Sequence, residues 1–114
     1  MKIEDYSTQA ITTLVSDHSL SDEMSPALLS QAFGLVGESG EVAEKFKKLI
    51  RDKQGVISPT DKQEIIKELG DILWYVNSVA HLLDSNLEEV AGKNLEKVLG
   101  RKQAGKISGS GDNR

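Results

Sequence analysis

Two short acidic segments carry the most chemistry in this 114-residue chain: Glu38-Ser39-Gly40-Glu41 and Glu68-Leu69-Gly70-Asp71. Each sets two carboxylates three residues apart, which on a helix places them on one face about one turn apart. Two carboxylates about 5 Å apart repel by on the order of 3 kcal/mol at an effective dielectric near 20. Holding protons relieves that repulsion, and so does binding a hard divalent cation. The chain has no Cys, and neither segment contains His. All-oxygen ligation of this kind suits Mg²⁺ or Mn²⁺ rather than zinc. One or two such ions bridged to a phosphate polarise a phosphoryl oxygen and activate water for in-line attack. The plain alternative stands beside this chemistry, because an acidic i,i+3 pair on a helix is commonly just a solvated face.

The elements that must position these acids read as helices. Leu28, Ala32, Leu35, Val42, Phe46 and Leu49 form one apolar stripe at helical spacing. Ile65, Ile66, Leu69, Ile72, Leu73, Val76, Val79 and Leu83 form another. Glu38 falls inside the first stripe, between Leu35 and Val42, and Glu68 holds the same place between Ile65 and Ile72. A carboxylate on a face that should pack is costly unless it meets a cation or strong donors. Two such intrusions on consecutive, antiparallel helices suggest a shared cation.

The rest of the chain supports an all-α reading with four main helices. The first spans Ile3 to about Val15, with Ile3, Tyr6, Ala10, Leu14 and Ile11 inward. After a polar loop, Ser25-Pro26 starts the second, which runs to about Arg51. Glu41/Lys45 and Glu44/Lys48 make i,i+4 pairs along it. Gly55 and Ser58-Pro59 mark a turn, and Thr60 with Gln63 forms a capping box for a third helix ending near Leu83. Asn86 with Glu89 repeats the box for a fourth helix, Leu87 to about Leu99. Residues 1–102 then form a single helical domain, and the Gly/Ser-rich stretch 103–114 reads as a tail. Trp74, Phe33 and Phe46 are most simply packing residues, His81 a surface residue near a helix end, and His18 carries no assignment. Gly34, Gly37 and Gly40 each cost a helix about 1 kcal/mol, which close approach of a neighbouring helix or of phosphate would explain.

Composition narrows the function classes. Without Cys, disulfides, zinc-thiolate sites and thiol nucleophiles are excluded. A formal net charge of −4 with interspersed signs argues against duplex nucleic acid as main ligand. No segment is long and apolar enough to span a bilayer and the N-terminus has no apolar signal region, so no membrane partner and a cytoplasmic location are the default expectations.

The run from Gly34 to Lys48, followed by the run from Lys67 to Val76, resembles the MazG family of all-α nucleoside triphosphate pyrophosphohydrolases. The likeness extends over about residues 26–101. It implies a MazG-like bundle, Mg²⁺ (or Mn²⁺) as cofactor, and a nucleoside triphosphate cut to monophosphate and pyrophosphate. Carried over position by position, the metal-binding and catalytic residues are Glu38, Glu41, Glu68 and Asp71. Many members begin the first motif with two adjacent acids where this chain has Gly37 before Glu38; the Gly-Glu-x-Gly-Glu form is similar to the dCTP pyrophosphatase branch. That branch has a Tyr where this chain has Tyr75, implying contact with base or sugar. Lys93, Asn94, Lys97 and Arg101 resemble the family's last-helix residues that meet the triphosphate. Members are dimers or tetramers, so a homodimer or homotetramer assembled through helix packing is expected. Two rival classes share these residues: a non-catalytic nucleotide- or metal-binding helical module, and a structural helical protein whose acids are paired to Lys45, Lys48 and their neighbours.

Overall fold

Both long helices begin with the same device, Ser followed by Pro. Ser supplies a side-chain oxygen to a free backbone N–H, and Pro at the first helical position loses no hydrogen bond. In a computed structural model describing residues 1–20 and 23–105, four helices follow one another: α1 (Ile3–Ile11), α2 (Pro26–Lys53), α3 (Pro59–Leu82) and α4 (Leu87–Gln103). Ser25 Oγ accepts from the Leu28 N–H at 3.1 Å. The cap of α3 is Ser58 rather than Thr60. Its hydroxyl accepts from Asp61 N–H at 3.1 Å, while the Asp61 carboxylate accepts from Ser58 N–H at 3.0 Å. Asn86 caps α4 as expected, but Glu89 turns to the Ser85 hydroxyl instead of closing a box.

Two helix ends depart from the expected bounds. α1 stops at Ile11, not near Val15, because the Thr12 and Thr13 hydroxyls donate to the Gln9 and Ala10 carbonyls at 2.6 and 2.7 Å. Side-chain bonds of that kind compete with helix continuation. Leu14 is buried beyond the end, whereas Val15 and Ile3 are exposed. α4 runs past Leu99 to Gln103, so the expected tail boundary falls inside its last turn, and residues 106–114 lie outside the described residues. α2 closes through Gln54 and Gly55, both with positive φ, and the Gly55 N–H returns to the Leu49 carbonyl at 3.0 Å.

The α2–α3 hairpin is the frame. Buried and half-buried positions on α2 include Gln31, Leu35, Glu38, Val42, Lys45 and Leu49, in alternating steps of four and three. On α3 the matching series is Asp61, Ile65, Glu68, Ile72, Tyr75, Val79 and Leu82. This is the spacing of a two-helix seam, yet every second member is polar or aromatic until Leu82 at the end of α3. Cross-links fix the antiparallel register: Lys53 to Asp61 at 2.8 Å at one end, and Ser78 Oγ to Gln31 Oε1 at 2.8 Å towards the other. Between them the Tyr75 ring lies on the α2 backbone at Gly34, where an added Cβ would come within 2.6 Å of Cζ. Gly37 and Gly40 face open space, so close helix approach accounts for Gly34 alone.

α1 packs against α3 and α4, and α4 against α1 and α3, but neither reaches α2. A buried polar junction holds these three helices. Ser7 Oγ donates to Asn77 Oδ1 at 2.6 Å, Asn77 Nδ2 donates to the Ser7 carbonyl at 3.0 Å, and Leu87 N–H at the start of α4 donates to Ser7 Oγ at 3.4 Å. Trp74 is half-buried and its Nε1–H donates to Thr13 Oγ1 at 2.8 Å. The two histidines meet: His18 Nε2–H donates to the Leu14 carbonyl at 2.7 Å, which leaves Nδ1 to accept from His81 Nε2 at 3.2 Å. That pair ties the α1–α2 connection to the end of α3.

One partner helix cannot cover the whole apolar breadth of α2 and α3. Phe33, Phe46, Ile66, Leu69, Leu73 and Leu83, all expected inward, are exposed. Among the described residues no helix is long and apolar enough to cross a membrane.

Candidate metal centre

Glu38 is a seam position of α2 and Glu68 a seam position of α3, so helix pairing alone pushes them together. Asp71 follows Glu68 by three residues and joins from the same helix. Carboxylate oxygens of Glu38, Glu68 and Asp71 all lie within 4.8 Å of one another, with both glutamates half-buried and Asp71 exposed. Glu41 lies outside this group. It is displaced about 60° around α2 from Glu38, off the seam, and its side chain is exposed. Its charge still reaches the site. The Glu38 carboxyl is raised above its ordinary value by desolvation first, then by Asp71, Glu68 and Glu41 in turn. Repulsion at Glu38 is therefore not relieved by the groups around it.

Two further side chains complete the surroundings. Lys45, seven residues after Glu38 and so on the same face, sets its ammonium 3.8 Å from Glu68 Oε1. The expected Glu41/Lys45 and Glu44/Lys48 pairings give way to this contact and to Lys47–Glu44 at 3.9 Å. Tyr6 comes from α1: burial, and then the Asp71 carboxylate, push its phenol up. Periodicity places Tyr6 in the packing, and the i,i+4 spacing pairs Lys45 with Glu41. The seven-residue interval from Glu38 was the signal that Lys45 shares the seam.

The donor set tests well against a hard divalent ion. All three donors are oxygens, they converge from two helices, and Glu38 among them is repelled by Asp71, Glu68 and Glu41. A soft or borderline metal would want His or Cys, and neither is among the convergent groups.

The other expected site residues are placed differently. Tyr75 is half-buried with its ring on Gly34 and edge-on to Trp74 at 5.0 Å. Lys93, Asn94 and Lys97 are exposed around a surface hollow on α4 that Val90 and Glu96 also border. Arg101, one turn beyond Lys97, is buried. The α4 backbone packs on α1 and α3 and stays clear of α2, the helix that carries Glu38.

A model of the MazG nucleotide pyrophosphohydrolase domain matches residues 27–105, which takes in α2, α3, α4 and every carboxylate of the centre. The chain belongs to the MazG family. It is also similar to "Gene 37 protein" of Mycobacterium phage L5, with 52% identity over 81 residues that make up 71% of each chain. No solved structure matches the chain. The MazG match leaves out α1, which this chain nevertheless brings to Asp71 through Tyr6.

Proposed function

We propose that this protein is an Mg²⁺-dependent nucleoside triphosphate pyrophosphohydrolase, with Mn²⁺ as an alternative ion. The observation that carries the reading is the convergence of Glu38, Glu68 and Asp71 within 4.8 Å inside the segment that matches the MazG domain. These three carboxylates would hold the ion, with Glu41 adding negative charge from the rim. When bound, it supplies Lewis-acid polarisation of a phosphoryl oxygen. A carboxylate of this acidic cluster would take the proton of the attacking water. Water adds its oxygen to the α-phosphorus, the Pα–O–Pβ bond breaks, and pyrophosphate leaves.

The site in one chain is short of cations for a triphosphate. Lys93, Asn94 and Lys97, with Arg101 one turn further along, fill that role best if α4 of one copy lies beside the seam of another. Exposed apolar surface fits such an assembly: Phe33 and Val36 on α2 are 66% and 70% exposed, and Ile66 and Leu69 on α3 are 55% and 50% exposed. A homodimer or homotetramer would cover them. Tyr75, held at Gly34 beside the seam, would contact base or sugar.

The decisive experiment is hydrolysis in ¹⁸O-labelled water. Label in the monophosphate, with pyrophosphate as the other product, marks attack at the α-phosphorus. Glu38→Gln keeps the shape but removes the charge and should lower turnover about a hundredfold or more. Label in inorganic phosphate, with a diphosphate product, would refute the reading.

A further inference from the structure

Lys45 is an odd occupant of its position. Its seam neighbours, Val42 and Leu49, are aliphatic, yet here a lysine is half-buried with 37% of its side chain exposed. It spends its charge on Glu68, a member of the carboxylate centre, whose side chain is 22% exposed. Glu68 stands between Lys45 on one side and Glu38 on the other, so one carboxylate serves two claims. A cation close to a metal-binding carboxylate opposes a second cation there by direct repulsion.

The structure also offers the side chain another place. Lys45 borders a hollow between the end of α2 and the start of α3, whose other charged lining residues are Lys48, Asp52, Glu64 and the Lys53–Asp61 pair. An ammonium that leaves Glu68 can turn into this open hollow and stay hydrated there, beside carboxylates already paired to other cations. The four-carbon stem is flexible, so the move needs no backbone change.

We propose that Lys45 is a built-in competitor for the metal: it neutralises Glu68 while no divalent ion is bound and is displaced from it when one binds. The inference rests on the metal-centre reading above and adds to it a positioning residue that sets the ion's affinity. Its effect is to weaken binding of the bare ion, so that the centre fills most readily when the ion arrives already carried by a polyphosphate. Without a metal, Lys45 keeps the seam from holding three uncompensated carboxylates.

The test is a titration of the nucleotide-free protein with Mn²⁺, following the free-ion signal by electron paramagnetic resonance. Lys45→Met has nearly the same length, suits a seam position and carries no charge. It should bind Mn²⁺ about three- to tenfold more tightly than the wild type, the range expected for a partly solvated ion pair. Lys45→Arg, which keeps a cation beside Glu68, should stay near wild-type affinity, separating charge competition from a change in packing. Equal or weaker Mn²⁺ binding by Lys45→Met overturns the proposal while leaving the centre itself intact. No saturable binding in either protein overturns the centre, and the proposal with it. Circular dichroism of each variant checks that the helices are retained, and Lys45→Gln serves in place of Met if that variant does not fold.

Discussion

Replacing Gly34 with Ala sets two opposed effects against each other at one atom. In a helix interior the change favours the helix by about 1 kcal/mol. Here the new Cβ would lie 2.6 Å from Cζ and 2.7 Å from Cδ1 of Tyr75, with Cε1 nearer still. Carbon atoms settle at about 3.5–4.0 Å, so the ring must retreat by about 1 Å or more. Trp74 packs edge-on against it at 5.0 Å and an interplanar angle of 84°, which limits that retreat. Overpacking costs about 1–3 kcal/mol; an overlap with three ring atoms puts this case at about 2–3 kcal/mol, and subtracting the helix gain leaves a net loss of about 1–2 kcal/mol. For a domain of this size the melting temperature should fall by roughly 5–12 °C. The sharper measurement is a double-mutant cycle with Tyr75→Ala, read by urea denaturation. Once the ring is gone, Gly34→Ala should stabilise by about 1 kcal/mol, giving a coupling of roughly 2–3 kcal/mol. A Gly34→Ala protein that melts higher than wild type, or a coupling near zero, would show that the ring does not rest on α2.

Asn77→Ala removes both Asn77–Ser7 hydrogen bonds from a buried junction and should cost about 2–3 kcal/mol in urea denaturation; a loss below about 0.5 kcal/mol would mean that these bonds do not hold α1 to α3. Asp61 is held at about 2 by the Lys53 ammonium, then by the Ser58 N–H and hydroxyl. Its folded value lies below its unfolded one, so its stabilisation is complete above about pH 4 and is lost as pH falls from there through about 2. Asp61→Asn should flatten the dependence of the denaturation midpoint on pH in that window, and parallel slopes for the two proteins would count against the contact.

Much of the helical skeleton follows from local chemistry, and for that reason it was readable in the sequence. Ser25-Pro26 starts α2, Asn86 starts α4, and the period of the apolar residues marks two long helices. Local signals misled where two of them competed. Thr60/Gln63 and Ser58/Asp61 both satisfy the same spacing, and the Lys53 ammonium across the turn adds to the hold on Asp61 in the second box. Thr12 and Thr13 ended α1 early through their own hydroxyls, a choice that propensity alone leaves open.

The sequence by itself determined that acids intrude on two apolar stripes, because periodicity is a property of one helix. Which acids meet was decided by the pairing of two helices. Glu38 and Glu68 face each other because both occupy seam positions, whereas Glu41, equally acidic and three residues away, turns outward. The same pairing redirected Lys45 from Glu41, its neighbour along the helix, to Glu68 across it. It also gave Gly34 its reason, since only an approaching Tyr75 ring makes the missing Cβ matter. The polar junction of Ser7, Asn77 and Leu87 spans 80 residues of chain, and no local pattern announces it. Hydrogen bonds between distant residues depend on where three helices cross, and that is a property of the tertiary structure alone.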